Sequence, residues 1–329
     1  MARTSTALTN VFPTQYVEAR FVEALRTNTL MVGLGRESTL PTHNSKTVRW
    51  QFFSNPAAVV ATISTEGDAP ADATLPTTTS AEATLGEYGG NFPYTRFLLG
   101  GDGRGGIAIS GTFDELIDLV GNQAALSLDC LTLIELDNIA AGQKIDLGAA
   151  FTADGLRQGA ADLAGAGQGS AGTDFPSAGR AMPHPATPGG QFYCAVLSPE
   201  AAYDMLGEGT PTWYQGKSRD VEAALTTPFK DTPATAAMYG CIVKITGNIR
   251  RNTSPTPDDD ENYIVGKDLF GVAALDTNTM KPRVIVTTPE QNVASATRNS
   301  GSIAWWALFA AKLIDSNRGA QLLSDATGK

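Results

Sequence analysis

Residues 112–136, TFDELIDLVGNQAALSLDCLTLIEL, are the stretch of sequence that decides the fold. Thr112 followed by Glu115 is a capping box, in which two side chains satisfy free backbone N–H groups at a helix start. Apolar residues then recur with the helical period as far as Ile134. The pattern predicts one helix over 113–136, about 36 Å long at 1.5 Å per residue. Because that is roughly twice an ordinary globular helix, we expect a spine on which other layers pack.

The whole chain is acidic and has enough apolar residues to build a core. It has 329 residues, a formal net charge of -10 and a hydrophobic content of 42%. This content excludes wholesale disorder, and the length predicts two domains or one elaborated domain. The acidity argues against a protein that grips nucleic-acid backbones. No secretory signal is visible, and the longest apolar run, Ile303–Ala311, is too short to span a bilayer, so we expect no membrane partner.

Charge is segregated between the first two segments. Residues 1–49 carry a predicted helix over Tyr16–Arg26 and six basic against three acidic residues, whereas residues 50–91 carry five acidic residues and no Lys or Arg. Thr-rich and β-branched stretches around a turn at Thr65–Pro70 predict a long hairpin in the second segment. Such a polar hairpin cannot build its own core, so we expect it to lie on another surface. The candidate contact residues are Arg20, Arg26, Arg36, Lys46, Arg49, Glu66, Asp68, Asp72, Glu82 and Glu87.

The remaining sequence mixes short helices and strands. Ser198 caps a predicted helix whose first residue is Pro199, and the apolar spacing of Ser302–Asp315 predicts a terminal helix. A further helix is predicted over Phe151–Leu163, and strands are predicted at 192–197, 241–249, 263–265, 270–275 and 284–288. Strands from distant parts of the sequence together with one long helix predict an α+β fold.

The sequence contains no pattern that assembles an active site. His43 and His184 are far apart and adjoin no catalytic or metal-binding motif, so we interpret both as structural. Gly101–Gly106 formally matches a dinucleotide-binding loop, but the helix opens only at Phe113, so a hinge is favoured over a phosphate site. We therefore predict that the protein is not an enzyme and holds no cofactor.

Two other features have structural interpretations. Asp258–Glu261 could bind a hard cation, but it lacks the spaced ligands of a calcium loop, so a solvated loop tip is favoured. Cys130, Cys194 and Cys241 are far apart and odd in number. They predict reduced, buried thiols without a metal.

The order of these features resembles the major capsid proteins of tailed bacteriophages, which have the HK-ninety-seven fold, and more narrowly the N-four-type phage family. The resemblance covers nearly the whole chain. It rests on the Tyr16–Arg26 helix, Thr47–Phe53 (TVRWQFF), Glu66–Gly67 and Pro70, Ala83–Gly89 (ATLGEYG), the helix from Phe113, and Gly301–Trp306 (GSIAWW).

The resemblance implies a domain for each segment. Residues 1–49 would be the N-terminal arm and 50–91 the E-loop, the extended hairpin of this fold. Residues 92–137 and 262–329 would form the peripheral domain with the spine helix, and 138–261 the axial domain around the capsomer axes. The implied function is self-assembly of hexamers and pentamers into an icosahedral head that encloses double-stranded DNA without reading its sequence.

The resemblance also implies partners and a location. A portal protein, a separate scaffolding protein and a cement protein would complete a virion capsid assembled in the host cytoplasm. We expect the scaffold to be separate because only about 15 residues precede the first helix. Some capsids of this fold join subunits by a Lys–Asn bond from the E-loop, and the absence of Lys from residues 50–91 excludes that bond there.

Two alternatives stay open at this point. An encapsulin-like compartment shell shares the fold but carries protein cargo. A nucleotide-binding enzyme would use Gly101–Gly106, although no acid, base or nucleophile motif supports it.

Overall fold

The computed structural model of the chain describes residues 14–38, 46–53, 78–95, 112–165, 181–187, 190, 192–207, 235–238, 240–252, 259–273, 282–287 and 300–325. Its helices are α1 (Thr14–Asn28), α2 (Thr112–Leu136), α3 (Ala153–Gly165) and α4 (Pro199–Gly207). Its strands are β1 (Arg36–Ser38), β2 (Thr47–Phe53), β3 (Thr78–Thr84), β4 (Gly86–Thr95), β5 (Lys144–Asp146), β6 (Tyr193–Leu197), β7 (Thr235–Met238), β8 (Cys241–Ile245), β9 (Arg251–Asn252), β10 (Asp259–Val265), β11 (Phe270–Ala273), β12 (Arg283–Thr287), β13 (Ser300–Phe309), β14 (Ala311–Leu313) and β15 (Gly319–Asp325).

The predicted spine helix is confirmed as α2. Ile117, Val120, Ala124 and Leu128 recur at helical spacing and are fully buried, because that face packs on the main core. By length and composition alone α2 could cross a membrane, but half of that stretch is buried inside the protein. A core helix has the same character, so α2 is the element around which the neighbouring layers are arranged.

The shorter helices also follow the sequence pattern. In α1, Val17, Phe21 and Leu25 are buried on one stripe, as their spacing predicts. At the start of α4, the backbone N–H of Ala201 donates to Ser198 Oγ at 2.9 Å, so the predicted N-cap is formed. The predicted helix over Phe151–Leu163 corresponds to α3.

The strands form four sheets among the described residues. The largest has seven strands, with β5, β15, β10, β6, β8 and β7 in that order and β9 also paired to β10. A three-stranded antiparallel sheet has the order β12-β13-β4, and a second three-stranded sheet has the order β1-β11-β14. β2 and β3 pair with each other. The seven-stranded sheet joins β10 and β15 to β6 and β8, so it links the segments predicted as peripheral and axial.

The terminal helix predicted over Ser302–Asp315 is wrong, because this segment forms β13 and β14. Burial alternates along β13, so Ile303, Trp305, Ala307 and Phe309 face the core while the residues between them are partly exposed. The apolar residues of Ser302–Asp315 also fit helical spacing, which is why the sequence pattern predicted a helix. Pairing over ten residues with β4 and over five with β12 decides the conformation, since central strands favour aromatic and β-branched residues.

Two predicted environments are also wrong. Asp259, Asp260 and Glu261 are not a solvated loop tip: they begin β10, and Asp260 and Glu261 are only 3% and 2% exposed. Strand pairing with β15 carries them inward. Cys194 and Cys241 are buried free thiols as predicted, but Cys130 is exposed, because it lies on the side of α2 away from the core.

Candidate assembly interface

The base of the predicted E-loop is anchored to the body of the molecule. β2 and β3 pair antiparallel from Thr47 opposite Thr84 to Phe53 opposite Thr78. Alternation along β2 turns Val48 and Trp50 inward, where both are 2% exposed, against a small core formed with Ala273, Ala310 and Ile314. The hairpin base therefore has an apolar attachment, although the segment as a whole is polar.

The attachment depends on a glycine beneath the Trp50 ring. A Cβ on Gly271 would overlap the ring atoms of Trp50. The absence of a side chain on β11 therefore lets the indole lie flat on that strand, and the position has no room for any larger residue.

Gly271→Ala should lower the free energy of unfolding by about 1–3 kcal/mol, the usual cost of overpacking a well-packed site. Gly33→Ala is the matched control because a Cβ there meets nothing within 4 Å, and we expect its effect to stay within about 0.5 kcal/mol. Denaturant unfolding followed by tryptophan fluorescence measures both. Equal stability of the two variants would show that the Trp50 contact is not tight.

A charged cluster contacts the same hairpin base beside this apolar attachment. The Arg318 guanidinium donates to Asp315 at 2.9 Å and lies 5.6 Å from the centre of the Phe52 ring. Asp268, in the left-handed region with φ of 59°, lies 3.5 Å from Arg318 and 3.8 Å from Arg36. Arg36 comes from the predicted arm, so arm, hairpin base and body meet here.

The arm helix packs side by side and parallel with the spine helix. Arg20 of α1 donates to Asp118 at 2.7 and 2.8 Å and lies 3.0 Å from Asp114. The hydrogen bond from Arg20 lowers the pKa of Asp118. Further along, Ala24 meets Gly121, where a Cβ on the glycine would lie 2.7 Å from the Ala24 Cβ. Small residues and one ion-paired arginine thus set the close approach of the two helices.

The part of the arm that follows α1, residues 30–32, is held by Asp129 of α2, which is fully buried. Its carboxylate accepts backbone N–H groups from Leu30 and Met31 at 3.0 Å and from Val32 at 3.4 Å. It also accepts from the Asn248 side chain at 3.1 Å. Burial raises the pKa of Asp129, while the N–H donors oppose the shift. One carboxylate therefore joins the spine, the arm and the turn after β8.

His184 fixes the next part of the arm. Its Nε2 lies 2.9 Å from the carbonyl oxygen of Leu34, and its Nδ1 accepts the N–H of Ala186 at 3.2 Å. These contacts require the proton on Nε2. Burial lowers the pKa of His184, which favours this neutral form. The structural interpretation of His184 fits these contacts, while His43 lies outside the described residues.

The structure brings few of the predicted contact residues together. Arg49 and Glu82 pair across the hairpin base at 3.2 Å, with both side chains more than half exposed. Arg20 and Arg36 are paired within the chain as described above, and Arg26, Lys46 and Glu87 are exposed. Glu66, Asp68 and Asp72 lie outside the described residues, as does Gly101–Gly106.

A charge cluster around Arg251 was missed by the sequence analysis. Arg251 donates to Asp260 at 3.0 Å and also pairs with Glu200 of α4. The side chain of Asp260 is 4% exposed, and its Oδ2 has no hydrogen-bond partner. Residues 252–257, which include Pro255 and Pro257, separate Arg251 from the acid run in sequence, so no local pattern predicted the pairing of β9 with β10.

A neighbouring, partly buried network connects the C-terminal end of α2 to the large sheet. Asp137 accepts from Lys144 at 3.0 Å and from Arg250 at 2.7 Å. Tyr263 donates to Glu261 at 2.8 Å, and Arg250 lies 3.8 Å from that carboxylate. Burial opposes the shift, but Lys144 and Arg250 together lower the pKa of Asp137; burial raises the pKa of Glu261. These groups pair with one another and join the end of α2 to β10.

The described part of the chain contains no arrangement typical of chemistry. Within those residues, no group of three or more His, Cys, Asp or Glu could hold a metal ion. Burial raises the pKa of Cys194 and of Cys241 to about 12, which suppresses the reactive thiolate at neutral pH. The contacts that this architecture does build join the arm and the hairpin base to the body.

Comparisons with known proteins identify solved structures that have a similar fold. No family model and no curated protein matches the chain. Solved structures do match: the capsid of Ralstonia phage GP4 has a TM-score of 0.66 at 11% identity, covering 91% of this chain and 89% of that one. The head of Helicobacter pylori bacteriophage KHP40 has a TM-score of 0.56 at 10% identity, covering 88% and 87%. The capsid of cyanophage Pam1 has a TM-score of 0.55 at 11% identity, covering 94% and 93%.

These matches cover about nine tenths of each chain. They confirm the predicted fold, and the N-four-type detail stays a prediction. The chain has the HK-ninety-seven fold, the fold of tailed-phage capsid proteins.

Proposed function

We propose that this chain is the major capsid protein of a tailed bacteriophage, which assembles as hexamers and pentamers into the icosahedral head around double-stranded DNA. The observation that carries the proposal is the match to the Ralstonia phage GP4 capsid over 91% of this chain and 89% of that one. An acidic wall suits a DNA container, because each cationic contact would strengthen binding of the genome.

The predicted domains become proposals about the shell. The arm is 1–49, the E-loop is 50–91, the peripheral domain is 92–137 with 262–329, and the axial domain is 138–261. The attachment of Trp50 beside β11 and the hydrogen bonds of Asp129 to residues 30–32 support the first two assignments, because they join the hairpin base and the arm to the body.

The same proposal carries partners and a location. The head would need a portal protein, a separate scaffolding protein and, because residues 50–91 have no Lys for covalent joining, noncovalent overlap or a cement protein. The protein would belong to the virion capsid after assembly in the host cytoplasm. It acts as a structural protein without a catalytic step.

Electron microscopy of the purified protein and of particles isolated from cells tests the function. Closed icosahedral shells that protect double-stranded DNA from nuclease support the proposal. Shells that contain protein cargo and no DNA would support the compartment alternative. A protein that forms no shell and is stabilised by nucleotide in a thermal-shift assay would support the enzyme alternative.

Reversing the charge of the hairpin tests whether it steers assembly. We expect the double variant Glu66→Lys, Asp68→Lys to assemble about tenfold more slowly, because charge complementarity mainly sets association rates. Its partner surface would be the basic arm of a neighbour, including the exposed Arg26 and Lys46. Light scattering during assembly measures the rate.

The matched control is Asp154→Lys, Asp162→Lys, which makes the same charge change on exposed positions of α3. If both double variants assemble at the same rate, overall charge accounts for the effect and the hairpin has no special role.

A further inference from the structure

The spine helix presents apolar side chains to solvent on the side away from the core. Leu119 is 55% exposed, Leu126 is 45% exposed and Ile134 is 57% exposed, with the exposed Cys130 between the last two. Leu119 and Leu126 are seven residues apart, which places them two turns apart on one side of the helix. An apolar stripe on a helix at this spacing is typical of a surface that packs against another helix.

A groove lies beside this stripe, between the parallel helices α1 and α2. It has a volume of about 510 Å³ and is lined by residues of both helices, among them Tyr16, Ala19 and Thr27 of α1 and Asn122 of α2. Tyr16, near the N-terminus of α1, is 44% exposed. Two side-by-side helices with an open groove offer the position that a third helix takes in a bundle.

The groove and its rim are acidic. Glu23 and Asp118 line it, and Asp114 and Glu115 lie in the first turn of α2. Arg20 is the basic side chain of the lining, and it is already bound to Asp114 and Asp118. A helix entering the groove therefore meets apolar side chains on α2 and, beside the pairs that Arg20 forms, the carboxylates of Glu23 and Glu115.

The helices of a second copy are poor candidates for this position. α2 carries five acidic and no basic residues, α3 two acidic and one basic, and α4 two acidic and none basic. α1 has two of each. Like charges brought together across an interface oppose binding, so none of these described helices complements the groove.

We propose that the α1–α2 groove and the Leu119–Leu126 stripe form a docking site for an amphipathic helix of a separate protein, with an apolar stripe flanked by Lys or Arg. Its leucine-like side chains cover Leu119 and Leu126, and its cations pair with Glu23 and Glu115. That the partner acts in assembly rests on the proposed function. The site itself is a property of the single chain.

The test uses the full, unassembled chain and two synthetic 21-residue helical peptides. Both peptides have leucines at heptad spacing; one has Lys and the other Glu at the flanking positions. We expect the Lys peptide to bind at least tenfold more tightly in fluorescence anisotropy and to weaken as salt is raised, since exposed charge pairs are screened. Equal affinity of the two peptides, or no binding of either, would overturn the proposal.

Variants of the stripe locate the binding. The double variant Leu119→Ser, Leu126→Ser should bind the Lys peptide about tenfold or more weakly. The substitutions remove the apolar surface that the two leucines bury when the peptide binds. Tyr203→Ser on α4 is the control, since Tyr203 is 70% exposed and distant in sequence, and it should bind as the wild type does. Unchanged affinity in the leucine variant would mean that the Lys peptide binds by charge alone, against the proposal.

The same variants separate this inference from the shell function. If the leucine variant loses self-association while the Lys peptide fails to bind the wild type, the stripe contacts a second copy and the proposal is overturned. If the chain forms shells but binds no peptide, the docking site is refuted and the capsid function is still supported. If the chain binds the Lys peptide but forms no shell, the docking site is supported and the capsid function is refuted.

Discussion

Asp129→Ala should lower the free energy of unfolding by about 3–4 kcal/mol and release the arm from the body. The substitution leaves the N–H groups of Leu30, Met31 and Val32 and the Asn248 amide without their acceptor. A buried donor left unsatisfied costs about 1–3 kcal/mol, and this site combines several of them. Denaturant unfolding of the unassembled chain measures the loss, and limited proteolysis near residues 28–34 reports release of the arm.

Asp129→Asn is the matched variant, because it keeps the shape and one acceptor oxygen but turns an NH₂ group toward N–H donors. We expect its loss to be smaller than that of Asp129→Ala. If both variants are as stable as the wild type, and protease cleaves the arm no faster in either, Asp129 does not hold the arm to the body.

The pH dependence of stability adds an independent measurement. Because the folded pKa of Asp129 is raised, its contribution to stability is greatest below the ordinary Asp pKa and declines as pH rises through the folded pKa. Both variants lack this titration. As pH rises through that window, the wild type loses stability and the variants do not. The difference in the free energy of unfolding between wild type and each variant should therefore become smaller with rising pH.

Arg251→Ala should lower the free energy of unfolding by about 2–3 kcal/mol. It leaves Asp260, whose side chain is 4% exposed, as a buried charge without its cation, and removes the partner of Glu200. Removing one member of a buried pair is more costly than the pair is worth, because the other charge stays desolvated. The partial exposure of Arg251 keeps the expected loss below that of a fully buried pair.

Arg157→Ala provides the contrast, since Arg157 and Asp154 pair on the surface of α3 with side chains 64% and 77% exposed. We expect a change of no more than about 0.5 kcal/mol there. Thermal unfolding of both variants tests the difference. Equal and small losses would show that β9 and α4 are not joined through Arg251.

Local sequence predicted the elements whose conformation depends on near neighbours. Helix α2 follows from an apolar period sustained over many turns, and the cap by Ser198 follows from the preference of that residue for a helix start. The β-branched and Thr-rich stretches of residues 50–91 likewise predicted a hairpin, whose base is the pairing of β2 with β3. None of these required knowledge of what lies across the core.

The candidate site was harder to predict because its members are far apart in sequence. Arg36, Phe52, Asp268 and Arg318 meet at the hairpin base, yet no spacing rule connects them. Asp129 sits within an apolar helix where the sequence offers no hint that the backbone of residues 30–32 will reach it. Only the packing of α1 beside α2 brings donor and acceptor together.

The sequence by itself determined the spine helix, the arm helix, the polar hairpin and the resemblance to a capsid fold, since each depends on local periodicity or on the order of elements. Tertiary structure alone decided that Ile303–Phe309 is a strand and that Asp260 and Glu261 are buried. The physical reason is the same in both cases. A short segment compatible with two conformations, or with two environments, takes the one in which β4 and β12, or β15 and Arg251, satisfy its backbone and its charges.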